Sequence, residues 1–596
     1  MEKYQNRGEV PTEYKWDLTS FFKDEEEFNK VFKDTEVIIS KLNSYVGCTK
    51  DSIKLKEFLE LQLEAIANWE DLYVYSYLIN DEVVGISSNI ERKDKCEVLL
   101  ASIYNETAFF APELLKLSES EFEDLFNNKD LEVYRHYLEV TYREKEHILS
   151  ESEEIIVNEL ITAMNSYADM SSNLLNNEHD YGKVTLDNGE EVVLSPTNYG
   201  NILKNASRDL RKSVRDQFNI VLNQYSTSNA MYLNSYVKMN VALAKIRKYD
   251  SSWGAKLFEL NMTNNIFDAL VNACESKLDV FRKNYELRKE ALGLDELHFY
   301  DLAPDLVKSD KEYSIEDAQE LVKEALKPLG EDYLACIDKI FNNRYIDYCQ
   351  YKGKASGGYS FAKFRQDSRV LLSFNGDLDS VSTIIHEAGH NVHHQFLRKN
   401  NPFFYTDVSE MVCEVASLTN ECLLSSYLAD NGSSKEEKLA GIENILGVIN
   451  SNLFGAVREG KMEVDFYNHI SNGGAITKDY MDNLTSESIH KYYGDVIIYD
   501  DHVKNGWVNR SHYYMHFYLY SYAICVCVAC YVAKSILDGD KDLLDKYIKF
   551  LGTGSSTWPV DAFKVLGVDL SDESVYIKAI EYYESMIDKY REIANS

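Results

Sequence analysis

His386-Glu387-Ala388-Gly389-His390 is the stretch whose residue types and spacing point most directly to chemistry. On a helix, histidines four residues apart stand on one face, one turn above the other. Neutral imidazole nitrogens placed this way supply two legs of a tetrahedral zinc site. Glu387 projects to a neighbouring face, where it reaches an activated water without being a ligand. Two ligands, one base and a third ligand from elsewhere are the parts that hydrolytic zinc chemistry needs.

The surrounding elements must present that motif. Asp379 or Ser380 is expected to cap a helix running through Val381, Ile384, Ile385, Ala388, Val392 and Phe396, whose apolar stripe anchors it in the core. Asn400, Asn401 and Pro402 should stop it. The third ligand is expected on a second helix, capped by Asp407 or Ser409 and running from Glu410 to Glu421. Glu410, Glu414 and Glu421 would share one face of it. Glu414 is the choice, 24 positions after His390, with Glu410 in reserve. Its acidic neighbours would orient the ligands from behind.

His386-Glu-Ala-Gly-His390, followed by Glu414-Val-Ala-Ser417 and Thr419-Asn-Glu421, resembles the M3 family of zinc peptidases, in particular its oligoendopeptidase F branch. The resemblance implies one Zn²⁺ per chain on His386, His390 and Glu414, with Glu387 as general base. It further implies a mainly α, multi-helix zincin-type fold with a small β-sheet beside the active-site helix and a deep central cleft. Substrates would be oligopeptides.

Composition agrees with a helical enzyme and excludes some partners. Pro is scarce (7 residues) and Gly modest (27) over 596 residues, which favours long helices and several subdomains. A net charge of −35 argues against nucleic acid and against anionic membranes. Met1 to Asp17 hold no apolar run after a basic start, so no signal peptide is expected. The densest apolar run, around Ala523 to Ala533, reads as too short to cross a membrane. Ten Cys lack a paired spacing, and Cys525, Cys527 and Cys530 read as buried thiols. A reducing, cytoplasmic location follows.

Along the chain, residues 1–110 read as an N-terminal helical region whose entry, Arg7 to Leu18, resembles the amino-terminal signature of the branch. Residues 111–200 would form an oligoendopeptidase F-type N-terminal domain, with the helical pattern running to about Asn177. Near 184–194, two β-prone runs flank Asp187-Asn188-Gly189 and predict a hairpin. Residues 201–596 would be the M3-type catalytic domain. Arg208 to Arg211, Ala244 to Ser251 and Tyr300 to Pro304 resemble its landmarks. Before the zinc helix, Ser356-Gly357-Gly358-Tyr359-Ser360 precedes the strand-like run Arg369 to Phe374. That run is either an edge that binds an extended peptide or an ordinary core strand. Phe361 to Ser368 departs from the glycine- and threonine-rich run of the branch.

The other dense stretch is His512-Tyr-Tyr-Met-His516-Phe-Tyr518-Leu-Tyr520-Ser-Tyr522. Aromatic residues at helical spacing form core packing, but this segment also resembles the family's His/Tyr segment. The resemblance makes His512 and Tyr520, then Tyr513 and Tyr518, donors to the oxyanion of a tetrahedral intermediate. Read as helix, Tyr513 and Tyr520 share a face. The function so predicted is zinc-dependent cleavage of internal bonds in short peptides. The alternatives are a zinc carboxypeptidase and a non-catalytic helical peptide-binding protein.

Overall fold

The computed structural model describes residues 4–150, 153–154, 156–157, 161, 166–361 and 365–596. Parts of the helical run predicted up to Asn177, and Ala362 to Phe364 within the divergent Phe361–Ser368 stretch, lie outside the described residues. The chain is mainly helical with two small sheets. The elements used below are α1 (Ser52–Glu82), β1 (Lys183–Thr185), β2 (Glu191–Val193), α2 (Arg208–Ile246), α3 (Ser252–Glu259), β3 (Ile346–Asp347), β4 (Tyr359–Phe361), β5 (Arg369–Leu371), α4 (Leu378–Asn400), α5 (Glu414–Asn431), α6 (Ala456–Ser471) and α7 (Leu519–Leu537).

The residues group into two compact units, each assembled from three segments. The first comprises Met1–Glu146, Lys311–Leu424 and Ser535–Gly567. Its amino-terminal core forms around α1, whose Asp51 cap accepts from the Ile53 and Lys54 N–H groups. Leu55, Phe58, Leu59 and Leu63 on α1 are buried with Phe22, Phe110 and Phe122. Beside this core lies a three-stranded sheet of order β3-β5-β4. Strands β3 and β5 run parallel (Ile346↔Val370), and β4 is antiparallel to β5 (Tyr359↔Leu371). The Lys354 ammonium is fully buried and closes the β3–β4 connection, donating to the carbonyls of Asp347, Cys349 and Leu372 and pairing with Asp347. Three carbonyls and one carboxylate replace the water that a buried ammonium loses.

The strand-like run Arg369 to Phe374 therefore supplies the central strand of this sheet, paired on both sides, so it offers no edge to a peptide. The edge is β4, fixed to α1 by the Tyr359 hydroxyl donating to Asp81. Gly358, just before it, leaves room for α4: a Cβ there would stand 2.9 Å from the Thr383 methyl, which would have to move.

The second unit comprises His147–Asp310, Ser425–Lys534 and Val568–Ser596. Its hairpin pairs β1 with β2 (Lys183↔Val193), closed by a turn with Gly189 at φ +85°. Helix α2 runs for 39 residues, and near its start Arg208 and Arg211 converge on the fully buried Asp301. Helix α7 is longer than the sequence suggests, 19 residues, and apolar enough to cross a membrane, but 78 % of that window is buried in the protein. It is a core helix. Cys525, Cys527 and Cys530 on it are completely buried and form no disulfide among the described residues.

Candidate metal centre

Helix α4 carries the motif. Asp377, not Asp379 or Ser380, caps it, because its carboxylate accepts from the Ser380 N–H at 2.8 Å. The helix therefore starts two to three residues earlier than the sequence suggests. Val381, Ile384, Ile385, Ala388, Val392 and Phe396 are all at most 4 % exposed, so the stripe locks the rotation of α4 and turns His386 and His390 to one side. Asn401 is extended before Pro402, and the helix stops at Asn400.

Helix α5 departs from the expected extent. It begins at Glu414, because the Ser409 carbonyl accepts from Val412 and Cys413 in a turn that precedes the helix. Glu410 lies in that turn and shares no helical face with Glu414 and Glu421. Asp407 and Ser409 cap nothing at the helix start. Beginning the helix at Glu414 places that carboxylate on the first turn, facing α4.

Gly389 explains how the two helices approach. A Cβ at Gly389 would stand 2.6 Å from the Ser417 Cα and 2.8 Å from its nitrogen, both backbone atoms. Only glycine permits the contact. A buried bridge then fixes the register: Asn420 donates to the Ile385 carbonyl at 3.0 Å and accepts from the Tyr333 hydroxyl at 2.8 Å.

The packing brings three donor atoms together. His390 Nε2 lies 3.2 Å from His386 Nε2, and Glu414 Oε2 lies 3.4 Å from His386 Nε2 and 3.3 Å from His390 Nε2. Tetrahedral N and O ligands held about 2.0–2.1 Å from an ion stand about 3.3–3.4 Å apart. The triangle fits such an ion. These are the three residues whose ligand atoms cluster within 4.8 Å as a possible metal group.

The residues around the triangle prepare it for a cation. Glu421 sits 2.6 Å from His386 Nδ1, so this nitrogen keeps its proton and Nε2 is the atom left to give up its proton and ligate an ion. Burial lowers the basicity of His386, but the Glu421 hydrogen bond and the charges of Glu421, Glu414 and Glu387 overcome it, raising its pKa to about 9 in the metal-free protein. Burial pushes Glu414 up, yet its contacts with His390 and His386 and the Ser417 hydroxyl prevail, holding it at about 2. Ser417 donates to Glu414 Oε2 at 2.8 Å. Glu414 is thus a fixed anion.

Glu387 has a different environment. It is 7 % exposed, and its Oε2 is buried with no hydrogen-bond partner among the described residues. Burial raises its pKa against the pull of His390 and His386, which moves the carboxyl toward the range of a working base. Glu387, the three donors, Cys413, His393 and His394 line a cavity of 480 Å³ that β4 also borders.

His512, Tyr513, Tyr518 and Tyr520 belong to the second unit. Tyr513 stands in a short 3₁₀ turn, Ser511–Tyr514, while Tyr520 is on α7, so they share no helical face. The chain bends between them, with His516 at φ +45° and Phe517 at φ +62°. Tyr513 and Tyr520 are 2 % and 1 % exposed, and Tyr520 packs edge-on against Trp253 and Phe267. His512 and Tyr518 keep exposed surface and both pack against Tyr522, with ring centroids 6.1 and 5.1 Å away. Tyr522 follows Tyr518 by four residues, so that contact is one of helical spacing, and the bend brings His512 to the same ring.

A model of peptidase family M3 matches residues 201–582, and one of oligopeptidase F matches residues 113–181. The chain is 30 % identical to oligopeptidase PepF of Bacillus subtilis, covering 99 % of this chain and 88 % of that protein. It is 28 % identical to group B oligopeptidase PepB of Streptococcus agalactiae, over 98 % and 97 % of the two. Its fold is similar to a crystal structure of oligoendopeptidase-F from Enterococcus faecium, with a TM-score of 0.74, 25 % identity and coverage of 96 % and 99 %. A crystal structure from Chlamydophila abortus superimposes with a TM-score of 0.92 at 26 % identity, over 99 % and 100 % of the chains.

Proposed function

From the premise that this chain belongs to peptidase family M3 and is a metallo-oligoendopeptidase, we propose that its metal is a single zinc ion held by His386, His390 and Glu414, with Glu387 as the base. The observation that carries the assignment is the triangle of donor atoms 3.2 to 3.4 Å on a side, beside a Glu387 Oε2 with no hydrogen-bond partner among the described residues. Two imidazoles and one carboxylate are a donor set suited to zinc.

When bound, the ion supplies Lewis acidity, polarising the scissile carbonyl and acidifying a water. Glu387 would accept a proton from the water that attacks the peptide carbon and return one to the leaving amine. The raised pKa of Glu387 suits both directions of transfer. Glu421 keeps the His386 ring in its ligating tautomer, and Ser417 fixes the Glu414 carboxylate. Strand β4 offers its free edge to an extended substrate beside the cavity.

His512 and Tyr518 are proposed as donors to the oxyanion, on the resemblance of their segment and their exposed surface. The burial of Tyr513 and Tyr520 gives these two a packing role instead. We assign residues 201–596 to the catalytic region, preceded by an oligoendopeptidase F-type region over 111–200 and a helical region over 1–110. Oligopeptides are the substrates. The acidic composition disfavours nucleic acid and anionic membranes, and ten cysteines without a disulfide among the described residues suit the cytoplasm.

The test is a quenched fluorescent peptide of about eight residues, roughly 27 Å extended and blocked at both ends. Internal cleavage should be lost on chelation and should fall by about 10²–10⁴ in Glu387→Gln with metal content unchanged. Trimming of free-ended peptides alone would instead indicate a carboxypeptidase. Glu414→Ala should lose metal and Glu410→Ala should keep it; the reverse would move the third ligand to Glu410.

A further inference from the structure

The bend between Tyr514 and α7 places two successive non-glycine residues, His516 and Phe517, in the left-handed region, where their Cβ atoms crowd the following carbonyl. Such a conformation persists only when the surroundings impose it, and an outlier of this kind points to function. The surroundings here come from three helices of the same unit. On α6, the Glu463 carboxyl accepts from the Phe517 N–H at 2.8 Å, and Tyr467 packs tilted against the Phe517 ring, centroids 4.4 Å apart. On α3, Ser252 bonds His516 Nε2 at 2.9 Å and Trp253 meets the Phe517 ring at 4.9 Å. On α2, the Tyr236 hydroxyl donates to the Tyr514 carbonyl at 2.8 Å.

Of these anchors, Glu463 is the one whose chemistry packing alone does not explain. It is completely buried, and its Oε2 has no hydrogen-bond partner among the described residues. A buried carboxyl with an unsatisfied oxygen is costly, and an apolar side chain would fill the space without that penalty. What an apolar side chain cannot do is accept the Phe517 N–H, which the left-handed turn directs away from any helical carbonyl. The bend in turn lets His512, on one side, and Tyr518, on the other, contact the same Tyr522 ring.

We propose that Glu463 is a positioning residue: by accepting the Phe517 N–H it locks the left-handed corner, and so holds His512 and Tyr518 together against Tyr522. The proposal rests on the reading that this segment serves catalysis. Burial pushes the Glu463 carboxyl up to about 8, against the Phe517 N–H and the charge of Lys256. A neutral acceptor therefore suffices at neutral pH, and glutamine should replace it.

The experiment compares Glu463→Met, Glu463→Gln, Tyr236→Phe and His512→Ala in the zinc-loaded full-length enzyme, with the doubly blocked peptide. Glu463→Met should lower kcat about 100-fold, the scale of a misplaced catalytic group, with KM and metal content unchanged. Glu463→Gln should stay within about threefold of the parent, and Tyr236→Phe, which frees the other end of the corner, should lose several-fold in kcat. A purely structural role would reduce the melting temperature and the active fraction, leaving kcat per folded molecule intact. Parental kcat in Glu463→Met, or equal loss in the Gln and Met variants, overturns the proposal. If Glu463→Met does not fold, Tyr236→Phe decides, and a parental kcat there overturns it. Full activity in His512→Ala defeats the underlying reading, and this proposal with it; an inactive His512→Ala beside a normal Glu463→Met defeats the positioning role alone.

Discussion

Replacing Glu421 by Gln should change the metal affinity in a way that depends on pH. The carboxylate lies 2.6 Å from His386 Nδ1 and, with Glu414 and Glu387, raises the imidazole to about 9 although burial opposes this. In the metal-free protein at pH 7 the ring is therefore protonated, and the ion must displace that proton. Two pKa units of competition weaken binding about 100-fold, or about 2.7 kcal/mol. The parent's apparent affinity should rise about tenfold per pH unit from pH 7 and level off near 9. Gln removes the hydrogen bond to a charge and the charge itself, so less proton competition remains and the slope flattens. It also weakens the orientation of the ring, which costs about 10- to 100-fold in affinity, or about 1.4–2.7 kcal/mol. The two curves should lie furthest apart at pH 9 and converge toward pH 7. Stripped proteins titrated with zinc against a fluorescent chelator at pH 7, 8 and 9 give both curves. Parallel curves, or an undiminished affinity of the variant at pH 9, would refute the role given to Glu421.

Gly389→Ala should cost about 1–3 kcal/mol or more and weaken metal retention together, since its Cβ meets backbone of α5 at 2.6 Å that cannot rotate away; an unchanged melting temperature and zinc content would show that the helices do not meet there. His516 is half-buried, and its desolvation with the charge of Lys256 lowers its pKa to about 4. Its folded value lies below the unfolded 6.5, so the unfolded chain binds the extra proton between these values, and stability contributed above pH 6.5 is lost as pH falls toward 4. From pH 7 to 5 this amounts to about 2 kcal/mol. His516→Asn, which tolerates positive φ and does not titrate, should remove that part of the acid sensitivity in thermal melts; an identical pH dependence in both proteins would contradict it.

The sequence alone determined much of the metal centre. Four-residue spacing places His386 and His390 on one helical face whatever else the chain does, and the apolar stripe from Val381 to Phe396 sets which side faces the core. The hairpin was legible because Asp187-Asn188-Gly189 has few other backbone solutions. Caps were less legible. Several acids and serines near a helix start can each accept an N–H, and the choice of Asp377 over Asp379 depends on where the preceding loop enters. The same ambiguity lengthened the second helix to include Glu410.

What only the tertiary structure decided is which distant residues meet. Glu414 reaches the histidines because Gly389 admits the backbone of Ser417 and the Asn420 bridge sets the register, and neither contact has a local signature. Strand β5 became central because β3, which precedes β4 by some ten residues, pairs on its far side. The aromatic stretch from His512 to Tyr522 carries the spacing of a helix, yet partners on three other helices hold it bent at His516 and Phe517. Periodicity reports the face a residue would occupy if its segment stays regular. Whether the segment stays regular is settled by hydrogen bonds and packing from residues far along the chain.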